Sequence, residues 1–142
     1  MPLDYPSLAD SGRPMNILLV DDERDTRTVA RLALQRLGGF TVTEAASGRD
    51  ALAAAARARP DAVILDVMMP EMDGLEVLAT LRTCPDTAGL PVMFLTATVM
   101  PEELARLHAL GALAILQKPF EPRQFAADVR AALSGRAHAR PT

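Results

Sequence analysis

Asp21, Asp22, Asp66, Thr96 and Lys118 are the residues of this chain whose types and positions fit chemistry at phosphorus. Each stands at or just past the end of a short aliphatic run. Asp21-Asp22 follow Ile17-Leu18-Leu19-Val20, Asp66 follows Ala62-Val63-Ile64-Leu65, Thr96 closes 90–96, and Lys118 comes soon after Ala112–Leu116. Carboxylates gathered in one place repel, so either a pKa rises or a cation is present. A divalent cation together with Lys118 balances Asp21, Asp22 and Asp66. Oxygen donors, with no His or Cys in these segments, suit Mg²⁺ or Mn²⁺ better than zinc. A carboxylate beside such a metal can attack phosphorus and form an acyl phosphate, while an ammonium and a hydroxyl contact the transferred oxygens. Asp66, Lys118 and Thr96 are the candidates for those parts.

These residues can meet only if strand exits share one edge of a sheet. Residues 17–20 read as a buried central strand stopped by acids. A helix is expected from Arg24 to Leu37, with Val29, Ala33 and Leu37 recurring at helical spacing beside Ala30 and Leu34, and Gly38-Gly39 ending it. Phe40–Ala45 alternates apolar and polar residues, as an edge strand does. Ser47 with Asp50 three residues on resembles an N-cap, and the Ala-rich stretch to Arg59 forms a second helix closed by Pro60. A third strand runs from Ala62 to Leu65 and a third helix carries Leu75, Val77, Leu78 and Leu81, ending near Cys84. Leu90–Thr96 reads as a fourth strand. Pro101 opens a fourth helix, with Glu102-Glu103 at its positive end and Leu104, Leu107 and Leu110 as its stripe, until Gly111. Ala112–Leu116 is a short fifth strand, and Pro122 opens a last helix bearing Phe125, Val129 and Leu133.

Strands and helices thus alternate with short connections. That pattern predicts parallel βαβ units, a doubly wound five-stranded parallel sheet with five helices, and strand exits converging on one edge. Residues 1–14, holding Pro2, Pro6 and Pro14, read as a flexible leader, 15–134 as the folded domain, and 135–142 as a flexible tail.

At 142 residues the chain suits one domain. A net charge of −3 gives no electrostatic footprint for nucleic acid. Cys84 stands alone, so no internal disulfide or thiolate metal site can form. No apolar run reaches membrane-spanning length and the N-terminus lacks the form of a signal peptide, so a cytoplasmic location with no membrane insertion is expected.

The motifs themselves resemble a known family. Asp21-Asp22 after a strand, Asp66 followed by Pro70, Met72, Asp73 and Gly74, Thr96-Ala97, and Lys118-Pro119-Phe120 are similar, in order and separation, to the receiver domain of two-component response regulators. The resemblance covers about residues 15–134 and implies a flavodoxin-like sheet of order 2-1-3-4-5. It implies that Asp66 accepts phosphate from a phosphohistidine on a sensor histidine kinase or phosphotransfer protein. Asp21, Asp22, Asp66 and the backbone carbonyl of Met68 would then hold Mg²⁺, with Mn²⁺ possible. Lys118 would pair with the phosphoryl group, Thr96 would be the switching hydroxyl, and the Lys118–Pro119 bond would be cis. The output would be altered affinity for a downstream protein, with no enzymatic turnover beyond self-phosphorylation from small donors and self-dephosphorylation.

Met68 and Thr98 resemble positions that gate the attacking water, although Thr98 could equally cap the fourth helix. Glu23 reads as a helix-dipole partner, and Met69, Met72, Met93 and Met100 as core filler. The chain departs from the family in its fifth strand. Leu113, Ala114 and Ile115 stand where many members have an acidic pair followed by Tyr or Phe, so the aromatic switch is missing. With few residues after Leu133, a stand-alone receiver is expected, the rival being a receiver fragment of a larger regulator or hybrid kinase. An aspartate-nucleophile phosphatase on a similar sheet is the weaker alternative, since such enzymes place a second acid two residues after the nucleophile and Met68 stands there.

Overall fold

A computed structural model describes residues 13–139. The strands are β1 (Asn16–Val20), β2 (Thr41–Ala45), β3 (Ala62–Asp66), β4 (Val92–Thr96) and β5 (Ala114–Gln117). The helices are α1 (Arg24–Leu32, continued by a π-helical turn over Ala33–Leu37), α2 (Gly48–Ala58), α3 (Gly74–Thr83), α4 (Pro101–Ala109) and α5 (Pro122–Ala139). All strands pair in parallel in the order β2-β1-β3-β4-β5, the order expected. The chain lays β2 on one side of β1 and the later strands on the other, so the winding direction reverses at β1 and β3. Ligands of such sheets sit outside the strand exits at that reversal, and there Asp21 and Asp66 emerge.

The sheet is held between two apolar layers. Alternate side chains of a strand face opposite ways, and β1 divides accordingly. Ile17 and Leu19 pack with Ala30, Leu34, Phe125, Val129 and Leu133 of α1 and α5. Leu18 and Val20 pack with Ala51, Ala54, Val77, Leu78 and Leu81 of α2 and α3, and with Leu107 of α4. Phe94 and Phe125 are the largest fully buried side chains. Truncating either to Ala is expected to cost about 3–5 kcal/mol.

Local chemistry sets the helix ends. Ser47 caps α2 by accepting the Asp50 amide at 3.1 Å, as its spacing predicts. Arg59 ends α2 in the left-handed region, at φ 48, the conformation in which helices commonly terminate, and Pro60 follows where the helix cannot continue. Asp73 and Glu76 form a reciprocal capping box at the start of α3. Pro101 occupies the first turn of α4.

Several expectations are corrected. In α1 the buried stripe is Ala30, Ala33 and Leu34, whereas Val29 and Leu37 are exposed. Helical spacing allows either set, and the choice falls to the face that meets β1 and α5. The last turn of this helix widens to π geometry before Gly38-Gly39, with Gly39 at φ 77. β4 starts at Val92, since Leu90 lies in the α3–β4 loop, where its carbonyl accepts from Arg82. β5 begins at Ala114 and ends at Gln117, set by its register with Met93–Thr96. α4 buries Leu107 but leaves Leu110 exposed. Met69 and Met93 are core, while Met100 and Met68 are exposed. α5 continues past Leu133 to Ala139, because one Gly costs an existing helix only about 1 kcal/mol and the neighbouring alanines favour propagation. The expected tail therefore begins as helix. The leader up to residue 12 and the tail beyond residue 139 lie outside the described residues. Among the described residues no helix is long and apolar enough to cross a membrane.

Candidate functional site

The strand exits deliver their polar residues to one place. Asp21 and Asp66 are almost wholly buried, at 0% and 3% exposure, and Thr96 is buried beside them at the end of β4. The Asp21 amide donates to Ala45 O at 3.2 Å, and the Val67 amide to Leu95 O at 3.1 Å, extending the ladders just past the strand ends. The Lys118 amide donates to Thr96 O at 2.8 Å, which ties the β5 exit to the β4 exit.

The Lys118 side chain reaches back over the sheet edge. Its Nζ donates to Asp66 Oδ2 at 3.1 Å, lies 3.0 Å from Asp21 Oδ2, and is 3.8 Å from Glu23 Oε1. The peptide bond to Pro119 is cis. Phe120 stacks on Phe125 of α5 with ring centroids 4.4 Å apart, anchoring the loop that carries the lysine at about 0.5–1.5 kcal/mol beyond burial.

The Asp66 loop is equally constrained. The Met68 amide donates to Asp66 Oδ1 at 3.2 Å, and the Gly74 amide to Val67 O at 3.0 Å. A Cβ at Gly74 would collide with the Asp66 carbonyl and crowd Val67 Cα, so the closeness of helix to strand demands glycine here. Glu71 adopts φ 68 within this turn.

Asp21, Asp22 and Asp66 offer oxygens all within 4.8 Å of one another, a group that could hold a metal ion. The electrostatics favour one. Burial first, and then the charge of Asp21, push Asp66 up to about 6 despite the opposing Lys118 ammonium and the Met68 amide. Burial works against the charge on Lys118, but Asp21 and Asp66 outweigh it and hold the lysine above its usual value. Asp21 Oδ2 is a fully buried carboxylate oxygen whose partner is the Lys118 ammonium, 3.0 Å away and shared with Asp66. A hard divalent cation with oxygen ligands would add to that single countercharge and relieve the repulsion raising Asp66.

The neighbouring positions divide. Thr98 N–H donates to Thr96 Oγ1 at 3.1 Å, and Thr98 Oγ1 accepts from Met100 N at 3.2 Å; Met100 is itself the N-cap of α4, which has no side-chain cap, so the expected capping by Thr98 is not made. Glu23 stands at the N-cap of α1 with its own amide donating to Asp21 Oδ1 at 2.8 Å. Met68 points outward, 75% exposed, on the rim of the site. Beside it, Val67, Asp73, Thr98 and Arg106 line a cavity of about 260 Å³ under α4. Sequence reading passes over Arg27, which reaches Asp21 O at 2.8 Å from α1. An Arg placed one helical turn beyond an acidic pair was the available signal, but it is indistinguishable in the sequence from the surface arginines at 24, 31 and 36.

The family model described as "Response regulator receiver domain" matches residues 17–130. The "Probable transcriptional regulatory protein TcrX" of Mycobacterium tuberculosis is 41% identical over 122 residues, covering 86% of this chain and 51% of that protein. Response regulator MprA of Mycolicibacterium vanbaalenii is 46% identical over 121 residues, covering 84% and 51%. The chain spans about half the length of the curated relatives it matches. Chemotaxis response regulator CheY4 of Vibrio cholerae superposes with a TM-score of 0.77 at 35% identity, covering 84% of this chain and 98% of that one. With its sheet order, its buried acids and the match over most of its length, the chain belongs to the response regulator receiver domain family.

Proposed function

We propose that the domain is the phosphoacceptor of a two-component relay, taking phosphate on Asp66 from a phosphohistidine of a sensor histidine kinase or phosphotransfer protein. The observation that carries this reading is the placement of Asp66, buried at the sheet edge with Lys118 Nζ 3.1 Å from Oδ2 and with Asp21 and Asp22 near enough to share a cation. An Asp66 carboxylate oxygen attacks phosphorus, the bond from phosphorus to the imidazole nitrogen breaks, and its electron pair leaves with the imidazole. The product is a mixed anhydride on Asp66. Asp21, Asp22, Asp66 and the Met68 carbonyl would hold Mg²⁺, or Mn²⁺, which supplies charge neutralisation to the phosphoryl oxygens. Lys118 shifts from bridging two carboxylates to pairing with the phosphoryl group, and Thr96 donates its hydroxyl to another phosphoryl oxygen.

The output is a change in affinity for a downstream protein, in the cytoplasm, with no turnover beyond slow self-phosphorylation and self-dephosphorylation. The reading holds whether the domain acts alone or within a longer regulator, the arrangement of the curated relatives. Incubation with acetyl phosphate and Mg²⁺ should add one phosphate by intact mass, labile to alkali and absent from Asp66→Asn. An unchanged mass, or label that survives Asp66→Asn, would sink the assignment.

A further inference from the structure

Asp22 is exposed, and among the described residues no side-chain hydrogen bond or ion pair fixes its carboxylate. Its position is therefore set by backbone, above all by the peptide that joins it to Asp21. The carbonyl of that peptide is held by a side chain. Arg27 Nη1 donates to Asp21 O at 2.8 Å, and the same guanidinium donates from Nε to Glu44 Oε1 at 2.9 Å. The Arg27 side chain is only 17% exposed. Glu44 is itself held at its other oxygen, Oε2, by Arg31 Nε at 3.0 Å. It lies on edge strand β2, opposite Leu19 in the register with β1, one pair before Val20 and Ala45. On the amide side, Asp21 N–H is fixed to Ala45 O at 3.2 Å. The acidic pair is thus gripped on both flanks, by a ladder hydrogen bond before Asp21 and by Arg27 after it.

Resting on the metal-holding role given above to Asp21 and Asp22, we propose that Arg27, braced by Glu44, is a positioning residue that sets the Asp21–Asp22 peptide and so aims the Asp22 carboxylate at the cation. Rotation of that peptide would carry Asp22 away from Asp21 and Asp66 without disturbing either buried acid. The forked geometry is essential, because Nε and Nη1 donate to different acceptors and a lysine ammonium cannot reproduce that planar pair. The positive charge of Arg27 acts in the opposite sense, since a cation near the acids disfavours a second cation. Position and charge therefore predict opposite outcomes on substitution.

The test is calorimetric titration of the purified chain with Mg²⁺ alone, without phosphodonor, comparing the wild type with Arg27→Lys, Arg27→Gln and Glu44→Gln. Arg27→Lys and Arg27→Gln should each weaken Mg²⁺ binding by roughly tenfold, as loss of groups orienting metal ligands does. Glu44→Gln should weaken it less, and the Asp22 amide resonance should move in the metal-free spectrum of all of them. Wild-type affinity in Arg27→Lys, tighter binding in Arg27→Gln, or a lowered unfolding midpoint with unchanged affinity would each overturn the proposal. Should Arg27→Lys fail to fold, Arg27→Gln decides by the same criterion. A wild type that takes phosphate on Asp66 while these variants bind Mg²⁺ normally defeats the positioning role alone. A wild type that binds no Mg²⁺ defeats the metal reading with it.

Discussion

Lys118 donates a hydrogen bond to Asp66 across 3.1 Å, joining residues 52 positions apart in the chain. The same ammonium stands 3.0 Å from Asp21 Oδ2, so one cation serves two buried carboxylates from two other strands. Its removal leaves both carboxylates buried without a countercharge. Lys118→Ala should destabilise the metal-free protein by about 3–5 kcal/mol, the usual result of deleting one partner of a buried pair. Saturating Mg²⁺ should recover part of that loss. Urea denaturation followed by circular dichroism, with and without Mg²⁺, measures both, and equal losses in the two conditions would contradict the shared-cation picture.

Asp66 carries a pKa pushed up to about 6 from an ordinary 3.8, first by burial and then by the charge of Asp21. For a raised carboxyl the folded state is penalised once the group ionises. The penalty is absent below the unfolded value, grows as pH rises from 3.8, and is complete above about 6. Metal-free Asp66→Asn should therefore be more stable than the wild type at neutral pH, and the advantage should vanish in acid. Denaturation midpoints across that window test it, and a wild type whose stability rises with pH there, relative to Asp66→Asn, would reverse the assignment.

If Asp66 holds Mg²⁺ as proposed, protons and the cation compete for the same carboxylate. Below the pKa of about 6 the affinity for Mg²⁺ should fall by up to about tenfold per pH unit, and above it the dependence should flatten. Calorimetric titration in buffers on either side of that value is the measurement. A pH-independent affinity would place the cation elsewhere.

Gly74→Ala introduces a Cβ against the Asp66 carbonyl and Val67 Cα, both backbone and unable to yield cheaply. The substitution should cost about 1–3 kcal/mol, as overpacking does, and should also slow phosphate uptake because the strain falls on the Asp66 peptide. Gly89→Ala, at a glycine with open space around it, is the matched control and should leave both quantities unchanged. Equal behaviour of the two variants would refute the close-approach argument.

Much of this site was legible in linear order because each of its residues follows an apolar run, and an apolar run ending in a polar residue marks a strand exit. The alternation of strands and helices fixed the parallel class, and the capping Ser47 and the first-turn Pro101 marked helix starts directly. Less legible were features decided by which surface a segment meets. Val29 and Leu37 fit the helical period as well as Ala30 and Leu34 do, yet only the latter face the sheet. Periodicity reports that a stripe exists, and packing selects it.

By itself, then, the sequence determined the residue types at the strand exits, the order of the elements and Asp66 as a candidate acceptor, since these depend on local pattern and chemistry. Tertiary structure alone decided that Lys118 bridges Asp66 and Asp21, that Asp66 is buried enough to hold its proton up to about 6, and that Arg27 grips the Asp21 carbonyl. Each of those is a distance or a burial between segments far apart in the chain. Such quantities arise only when the sheet brings its strand ends onto one edge and excludes water from them.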